Sequence, residues 1–156
     1  MQENADPGNV VPGNSRVITA ALLAGAAVFA IDQWLKIQLF ANAALMEGSW
    51  LSGLIRFTNH QNYGISFNLP VPWILMIAIA IIATIWAGRE IYFSKSIKIS
   101  LLLGIFIGGV LGNLFDRITL DFVRDWLLLW GRSAVNLADG AILVGLIGYL
   151  FNKRKA

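Results

Sequence analysis

The stretch "ISLLLGIFIGGVLGNLF", residues 99–115, decides the class of fold. Its seventeen residues carry no charge. As a helix they would span roughly 26 Å, close to the hydrocarbon thickness of a bilayer when flanking side chains reach the headgroups. Gly104, Gly108 and Gly112 recur every four residues, so a neighbouring helix can approach this face closely. The stretch therefore predicts a transmembrane helix within a tightly packed bundle.

The composition of the whole chain is that of a membrane protein. Hydrophobic residues make up 57% of the 156 residues and charged residues 13%, whereas soluble domains average roughly 45–50% and about 25%. The net charge is +3, but no basic run precedes the final "NKRKA", so nucleic-acid binding is not predicted. The chain has no cysteine, which excludes disulfides and thiolate chemistry.

Three further apolar segments complete a predicted bundle of four transmembrane helices, a membrane all-α fold with a small β element. They cover residues 17–40, 72–88 and 135–151. Residues 1–15 are polar and rich in Pro, Gly and Asn, and we expect a disordered tail before a single membrane domain at 16–156. A cleaved signal peptide is the alternative for the first segment, but its helical pattern continues past the candidate cleavage site at Ala30.

The charge distribution predicts the orientation of this bundle. Lys and Arg residues near the span ends number seven on the side of the two termini and five on the other side. The positive-inside rule then assigns both termini to the cytoplasm. In the outer segment between the first two spans, "NYGISFNL" at 62–69 alternates polar and apolar residues. That alternation predicts a strand of a small extracytoplasmic sheet.

Polar residues gather at the predicted outer ends of the spans. Asn113 and Asp116 are three positions apart, so they share a helix face, and Asn136 and Asp139 repeat that spacing. Asp125 lies between the two pairs. Ionisable residues inside a membrane are costly and usually mark a functional site. We therefore expect three acidic groups to converge at one membrane boundary.

A purely structural role explains some of these acids better than others. Asp116 fits such a role best, as an ion-pair partner of Arg117 or Arg124. Asp139 fits it least, because it lies several residues inside an apolar run and Asn136 is already available to cap the helix. Asp139 is therefore the strongest candidate for chemistry.

Two carboxylates held together in a water-poor site can hydrolyse a peptide bond. Like charges at short range cannot both ionise, so the pair shares one proton. The ionised carboxylate activates water and the protonated one polarises the scissile carbonyl. No metal site is predicted, because His60 lacks neighbours at metal-ligand spacing and fits an outward-facing loop position. Ser66 and Ser133 lack the sequence context of a serine nucleophile.

Five ordered blocks of the sequence resemble the lipoprotein signal peptidase (signal peptidase II) family. They are "DQWLK" at 32–36, "NYGISF" at 62–67, "GGVLGNLFDR" at 108–117, "VRDW" at 123–126 and "NLADGAILVG" at 136–145. The resemblance implies an aspartic endopeptidase of the bacterial inner membrane, with four transmembrane helices, both termini cytoplasmic and a small outer sheet at the substrate.

The resemblance also implies roles for ten residues. Asp125 and Asp139 match the catalytic pair of the family. Polar positions around that pair are matched by Asn62, Asn113, Arg117 and Asn136. Asp116 resembles a partner that holds Arg117 in place. Positions that support substrate binding or local structure are matched by Asp32, Lys36 and Gly64.

The implied substrate is a prolipoprotein that carries a diacylglyceryl group and is cleaved just before the lipidated cysteine. No cofactor is implied, globomycin-type cyclic peptides should inhibit, and we expect a monomer among membrane lipids. The chain departs from the family pattern at Asp121, where a glycine is common, and at Arg124 and Trp126, which replace typical Val and Phe. A non-catalytic lipoprotein-binding factor and a proton-conducting bundle remain alternatives. The presence of both aspartates favours the peptidase.

The apolar run "WLLLWGRSAV", residues 126–135, has two interpretations. In the first it lies along the outer membrane boundary, closes one side of the active site and contacts the acyl chains of the substrate, while Arg132 reaches toward lipid phosphate. In the second it begins the fourth span early, because residues 126–151 exceed the roughly twenty that a span needs.

Overall fold

The computed structural model describes residues 15–42, 49–50, 54–64 and 72–154, and this part of the chain is mostly helical with one small sheet. The elements in chain order are α1 (Ser15–Phe40), β1 (Ser49–Trp50), β2 (Ile55–Asn62), α2 (Trp73–Phe93), α3 (Ile97–Leu120), β3 (Val123–Leu129), β4 (Ser133–Val135) and α4 (Leu137–Lys153). The tail predicted at 1–15 lies outside the described residues except for Ser15, which is already helical.

Three of the helices, α1, α2 and α3, are long and apolar enough to cross a membrane. The fourth, α4, has 17 residues and is shorter. The apolar segments therefore become helices as predicted, but α3 continues to Leu120, five residues beyond the predicted end at Phe115. The helix continues because Asn113 and Asp116 are buried and bound by neighbouring elements, so their polarity does not end it.

The glycine ridge of α3 packs against α1, which confirms the predicted close approach. A Cβ atom on Gly108 would lie 2.5 Å from the backbone oxygen of Gly25, and one on Gly104 would clash with the backbone of Ala21. A Cβ atom on Gly112 would lie 2.6 Å from the carboxylate of Asp32. The ridge thus brings the polar end of α1 directly against α3.

The apolar core surrounds α3, which packs against the other three helices. Its buried members are Ala21, Ala87, Ile91, Leu103, Phe106, Val110 and Tyr149. The Trp86 ring stands edge-on to the rings of Phe106 and Tyr149, with centroids 5.9 and 5.4 Å away. At the end of α4 farthest from Asp139, Glu90 accepts hydrogen bonds from the Tyr149 hydroxyl at 2.6 Å and the Lys153 ammonium at 2.9 Å. These contacts fix α2 against α4.

The four strands form one antiparallel sheet in the order β1-β2-β3-β4. Of the strand predicted at 62–69, Asn62 ends β2 (Ile55–Asn62) and residues 63 and 64 are not in a strand, while residues 65–69 lie outside the described part of the chain. The register between β2 and β3 shifts between Phe57 and His60, which brings His60 opposite Asp125. The sheet therefore places β2 beside one of the predicted catalytic residues.

The run at 126–135 is a β-hairpin, so it does not begin the fourth helix early, because α4 starts at Leu137. Its contact with the acyl chains of a substrate stays a prediction. Trp130 and Gly131 both have positive φ angles, 50° and 64°, as in the mirror-image turns that suit hairpins. The Arg132 N–H donates to the Leu129 oxygen at 3.0 Å and closes the turn. The apolar composition of 126–129 reflects a strand that is at least partly buried along its whole length.

Replacing Gly108 with Ala should destabilise the bundle, because the added methyl group meets the backbone of α1. We expect the free energy of unfolding to fall by about 1–3 kcal/mol, measured by denaturant titration in mixed micelles. Gly88→Ala is the matched control, since nothing lies within 4 Å of a Cβ atom there. It should leave stability unchanged or raise it by up to about 1 kcal/mol. Equal effects of the two substitutions would contradict close packing at Gly108.

Candidate active site

Asp125 is a fully buried residue of β3 whose carboxylate is held by two amides. Asn62 at the end of β2 donates to Oδ2 at 3.0 Å, and Asn136 donates to Oδ1 at 2.6 Å. One donor comes from the sheet and the other from the beginning of α4. The carboxylate is therefore fixed at the junction of the sheet and the helices.

Asp139 lies in the first turn of α4 and takes part in the helix cap. Its Oδ2 accepts from the Asn136 backbone N–H at 3.0 Å, while the Asn136 side chain accepts from the Asp139 backbone N–H at 3.0 Å. This reciprocal arrangement is a capping box. Asn136 caps the helix as expected, but Asp139, which fitted a structural role least from sequence, completes the cap. The other oxygen, Oδ1, accepts from Asn113 at 2.8 Å.

Asn136 contacts both aspartates at once. Its side-chain N–H binds Asp125, its side-chain oxygen binds the backbone of Asp139, and its own backbone N–H binds the carboxylate of Asp139. One residue thus sets the position of both acids. The two carboxylates are close enough that the charge of Asp139 acts on Asp125.

The pKa of Asp125 is raised from 3.8 to about 7. Burial contributes most to this rise in pKa, because it penalises the charged form, and the neighbouring charge of Asp139 adds to it. The amides of Asn62 and Asn136 oppose the rise. Asp125 can therefore carry a proton at neutral pH.

A buried charge cluster lies behind the two aspartates. The Lys36 ammonium pairs with Asp32 Oδ2 at 2.8 Å and with Asp116 Oδ2 at 3.3 Å, and all three side chains are fully buried. Lys36 also donates to Asn113 Oδ1 at 2.9 Å. This bond leaves the N–H group of Asn113 to donate to Asp139. Lys36 therefore orients the amide that binds one of the two aspartates.

Asp116 binds Arg124, and it does not hold Arg117 as the resemblance implied. The Arg124 guanidinium donates to Asp116 Oδ1 at 2.7 Å and to Oδ2 at 3.3 Å, and its backbone N–H reaches Oδ2 at 3.0 Å. Arg117 donates instead to the backbone oxygens of Asn113 at 3.2 Å and Gly64 at 3.1 Å. Adjacent residues on α3 point in different directions, so the neighbour of Asp116 in sequence is not its neighbour in space.

Gly64 connects Arg117 to the sheet. Its backbone N–H donates to Asn62 Oδ1 at 3.0 Å, which turns the N–H of that amide toward Asp125. Asp32 has a second role, because its Oδ1 accepts from the backbone N–H of Ala138 at 2.9 Å in the first turn of α4. The ten residues named from sequence thus form one connected network of hydrogen bonds and ion pairs.

A cavity of about 820 Å³ opens beside this network between the sheet and the helices α2, α3 and α4. Asn62, Asn113, Arg117 and Asp139 contribute to its polar part, and most of its remaining wall is apolar. Its volume is within the usual range of ligand-binding pockets, about 300–1,000 Å³.

Sequence reasoning missed three residues near the site. His60 lines the cavity from a strand, not from an outward-facing loop. Gln33 donates to the backbone oxygen of Gly112 at 3.1 Å and accepts from Arg124 at 2.7 Å. Arg124 was noted as a possible partner of Asp116 and as a departure from the family pattern, but not as a partner of Gln33. The alternation of Thr58, His60 and Asn62 could have placed His60 on the same strand face as Asn62. The contacts of Gln33 join distant parts of the chain, so no local pattern predicts them.

The acids of the site are not arranged as metal ligands. Among the described residues, no group of three or more His, Asp or Glu side chains could coordinate an ion. The acids are instead bound by amides, a lysine and an arginine. The arrangement places two carboxyl groups around one asparagine side chain and backbone.

Two solved structures share the fold of the chain. Both are described as bacterial membrane enzymes. One superimposes with a TM-score of 0.76 at 20% identity, covering 88% of this chain and 89% of that one. The other has a TM-score of 0.74 at 19% identity, covering 86% and 92%. At this identity the similarity establishes the fold alone.

Sequence relatives establish the family. The lipoprotein signal peptidase of Shewanella oneidensis is 33% identical over 133 residues, which is 77% of each chain. That of Shewanella amazonensis is 31% identical over 142 residues, or 83% of each chain. The family described as signal peptidase (SPase) II matches residues 24–153, which include every residue of the polar network. The chain belongs to the signal peptidase II family.

Proposed function

We propose that this protein is a lipoprotein signal peptidase that cleaves peptide bonds with Asp125 and Asp139. The observation that carries the proposal is the contact of one asparagine, Asn136, with the carboxylates of Asp125 and Asp139, of which Asp139 lines a large, mostly apolar cavity. The names of the relatives support the substrate class, and the paired acids support the aspartic mechanism.

The surroundings of the two aspartates support different roles for them. Asp139 lines the cavity from the first turn of α4, so it can contact the attacking water. Asp125 is buried on the strand, and its raised pKa favours the protonated form. Asp139 is therefore the base that activates water, and Asp125 is the acid that polarises the carbonyl.

The reaction then proceeds in two steps with a balanced exchange of protons. Asp139 takes a proton from water as the water oxygen bonds to the carbonyl carbon, and Asp125 gives its proton to the carbonyl oxygen. In the resulting diol the C–N bond breaks. The nitrogen takes the proton from Asp139, and one hydroxyl returns its proton to Asp125. Both carboxyls are restored to their starting states.

The cavity fits a prolipoprotein that carries a diacylglyceryl group. Its apolar wall suits acyl chains, and its polar part suits the peptide beside the lipidated cysteine. Two acyl chains would also anchor such a substrate at the depth of a site built on helix ends. Cleavage just before the modified cysteine would release the signal peptide.

This function implies a membrane address and an orientation. We propose that α4 joins α1, α2 and α3 as a fourth transmembrane helix, in a bacterial inner-membrane protein that functions as a monomer. Its 17 residues span roughly 26 Å, and Lys153 and Arg154 at its end can reach the headgroups. The greater number of basic residues near the termini supports cytoplasmic ends, so the sheet and the aspartates face the other side.

Substituting either aspartate should abolish cleavage while leaving the protein folded. Asp125→Asn removes the proton donor and Asp139→Asn removes the base, so we expect turnover to fall by about 100-fold or more in each variant. Incubating purified protein with a diacylated prolipoprotein and following signal peptide release measures this effect.

Asp121→Asn is the matched control for these two substitutions. Asp121 is exposed at the end of α3 with a φ angle of 67°, a conformation that Asn tolerates well. This variant should cleave like the unmodified protein. Normal turnover by Asp125→Asn or Asp139→Asn would rule out the paired-acid mechanism.

The pH dependence should follow the proton on Asp125. Because the pKa of Asp125 is about 7 and its protonated form is required, raising the pH through 7 removes the acid and lowers kcat/KM. Well above the pKa, the decline should approach about tenfold for each pH unit. A kcat/KM that stays constant from about pH 6 to about pH 9 would contradict the role of Asp125 as the acid.

A further inference from the structure

Arg124 directly precedes Asp125 on β3, and its contacts fix that strand to the helices. Its side chain is 13% exposed. It donates to both oxygens of Asp116 on α3 and, at 2.7 Å, to the Gln33 side-chain oxygen on α1. The Arg124 backbone N–H donates to Asp116 as well, at 3.0 Å. One residue therefore joins the strand to two helices.

These partners are themselves held firmly. Asp116 is fully buried and also pairs with Lys36. Gln33 donates to the backbone oxygen of Gly112 on α3 and to the carboxylate of Asp32 at 3.2 Å. Arg124 thus attaches β3 to side chains that are themselves fixed, because both Asp116 and Gln33 have further partners on α1 or α3.

This attachment of β3 to the helices affects the distance between Asp125 and Asp139. Neighbouring residues of a strand project to opposite faces, so fixing the side chain of Arg124 fixes the direction of Asp125. Asp139 depends on Asn113, which belongs to α3 as Asp116 does. Arg124 therefore fixes Asp125 relative to α3, the same helix whose Asn113 binds Asp139.

We propose that Arg124 is a positioning residue, which holds Asp125 in register with Asp139 by binding Asp116 and Gln33. This inference rests on the proposed peptidase function. Arginine suits the role because its planar guanidinium reaches both oxygens of one carboxylate and still donates to an amide. A lysine at this position retains the charge but cannot make all of these bonds at once.

The test compares Arg124→Met, Arg124→Lys and the control Arg56→Met in cleavage of a diacylated prolipoprotein. Arg56 is an exposed residue of β2 in the same sheet. We expect Arg124→Met to lower kcat by about 30-fold with KM changed less than about threefold, because binding surfaces remain while the acids lose their alignment. Arg124→Lys should recover part of the loss. Arg56→Met should behave like the unmodified protein.

A pH profile separates positioning from a general loss of structure. The charge of Asp139 raises the pKa of Asp125. If Asp125 moves away from Asp139 in Arg124→Met, the alkaline decline of kcat/KM should therefore shift to lower pH by at least about half a pH unit. An enzyme that is only less stable would have a lower kcat/KM at every pH, and its alkaline decline would not shift. Unchanged kcat in folded Arg124→Met, or a lower kcat with an unshifted profile, would overturn the proposal.

A milder variant covers the case in which Arg124→Met does not fold. Gln33→Leu removes one acceptor of Arg124 and leaves its pair with Asp116, so kcat should fall by about threefold or more with a smaller pH shift. A folded Gln33→Leu variant with unchanged kcat and profile would overturn the proposal. If the unmodified protein and Asp121→Asn both fail to cleave, the proposed function itself is wrong. If both of these proteins cleave and Arg124→Met cleaves equally well, only the positioning role is contradicted.

Discussion

The burial of one ammonium group, that of Lys36, is the constraint on which the rest of the structure depends. An unpaired ammonium in an apolar interior costs several kcal/mol, so the chain must surround it with acceptors. Asp32, Asp116 and Asn113 supply them. Arg124 adds a second cation on Asp116, so two carboxylates balance two cations. The resulting cluster joins α1 and α3 to each other, to β3, and through Asp32 to the first turn of α4.

The cluster explains how an aspartate pair can be held at the end of an apolar bundle. Glycines on α3 let α1 approach until Lys36 and Asn113 meet, and Asn113 then donates to Asp139. Buried ion pairs seldom add much stability compared with apolar packing, but they accept only one arrangement of their partners. In this protein we interpret the charges as a device that defines geometry. The apolar helices supply the stability, and the polar network selects one arrangement of the two acids.

Much of the site could be predicted because its residues follow helical spacing. The pairs 113/116 and 136/139 and the glycine ridge are local patterns, and the structure brings the predicted residues into one network. Long-range partners carry no such signal. The sequence could not decide whether Asp116 binds Arg117 or Arg124, and it did not indicate the contact between Arg124 and Gln33. The hairpin at 126–135 was missed because a strand with apolar residues on both faces is as apolar as a membrane helix.

The most direct measurement is the cleavage rate of a double variant, Asp32→Asn with Lys36→Met, together with its thermal stability. The two substitutions remove one negative and one positive charge, so the remaining pair of Asp116 and Arg124 stays balanced. The amide that replaces the Asp32 carboxylate can still accept from the backbone N–H of Ala138. We expect a folded protein whose turnover falls by about tenfold or more, because Asn113 is no longer oriented toward Asp139. Turnover equal to that of the unmodified protein would contradict the claim that the buried cluster positions the catalytic pair.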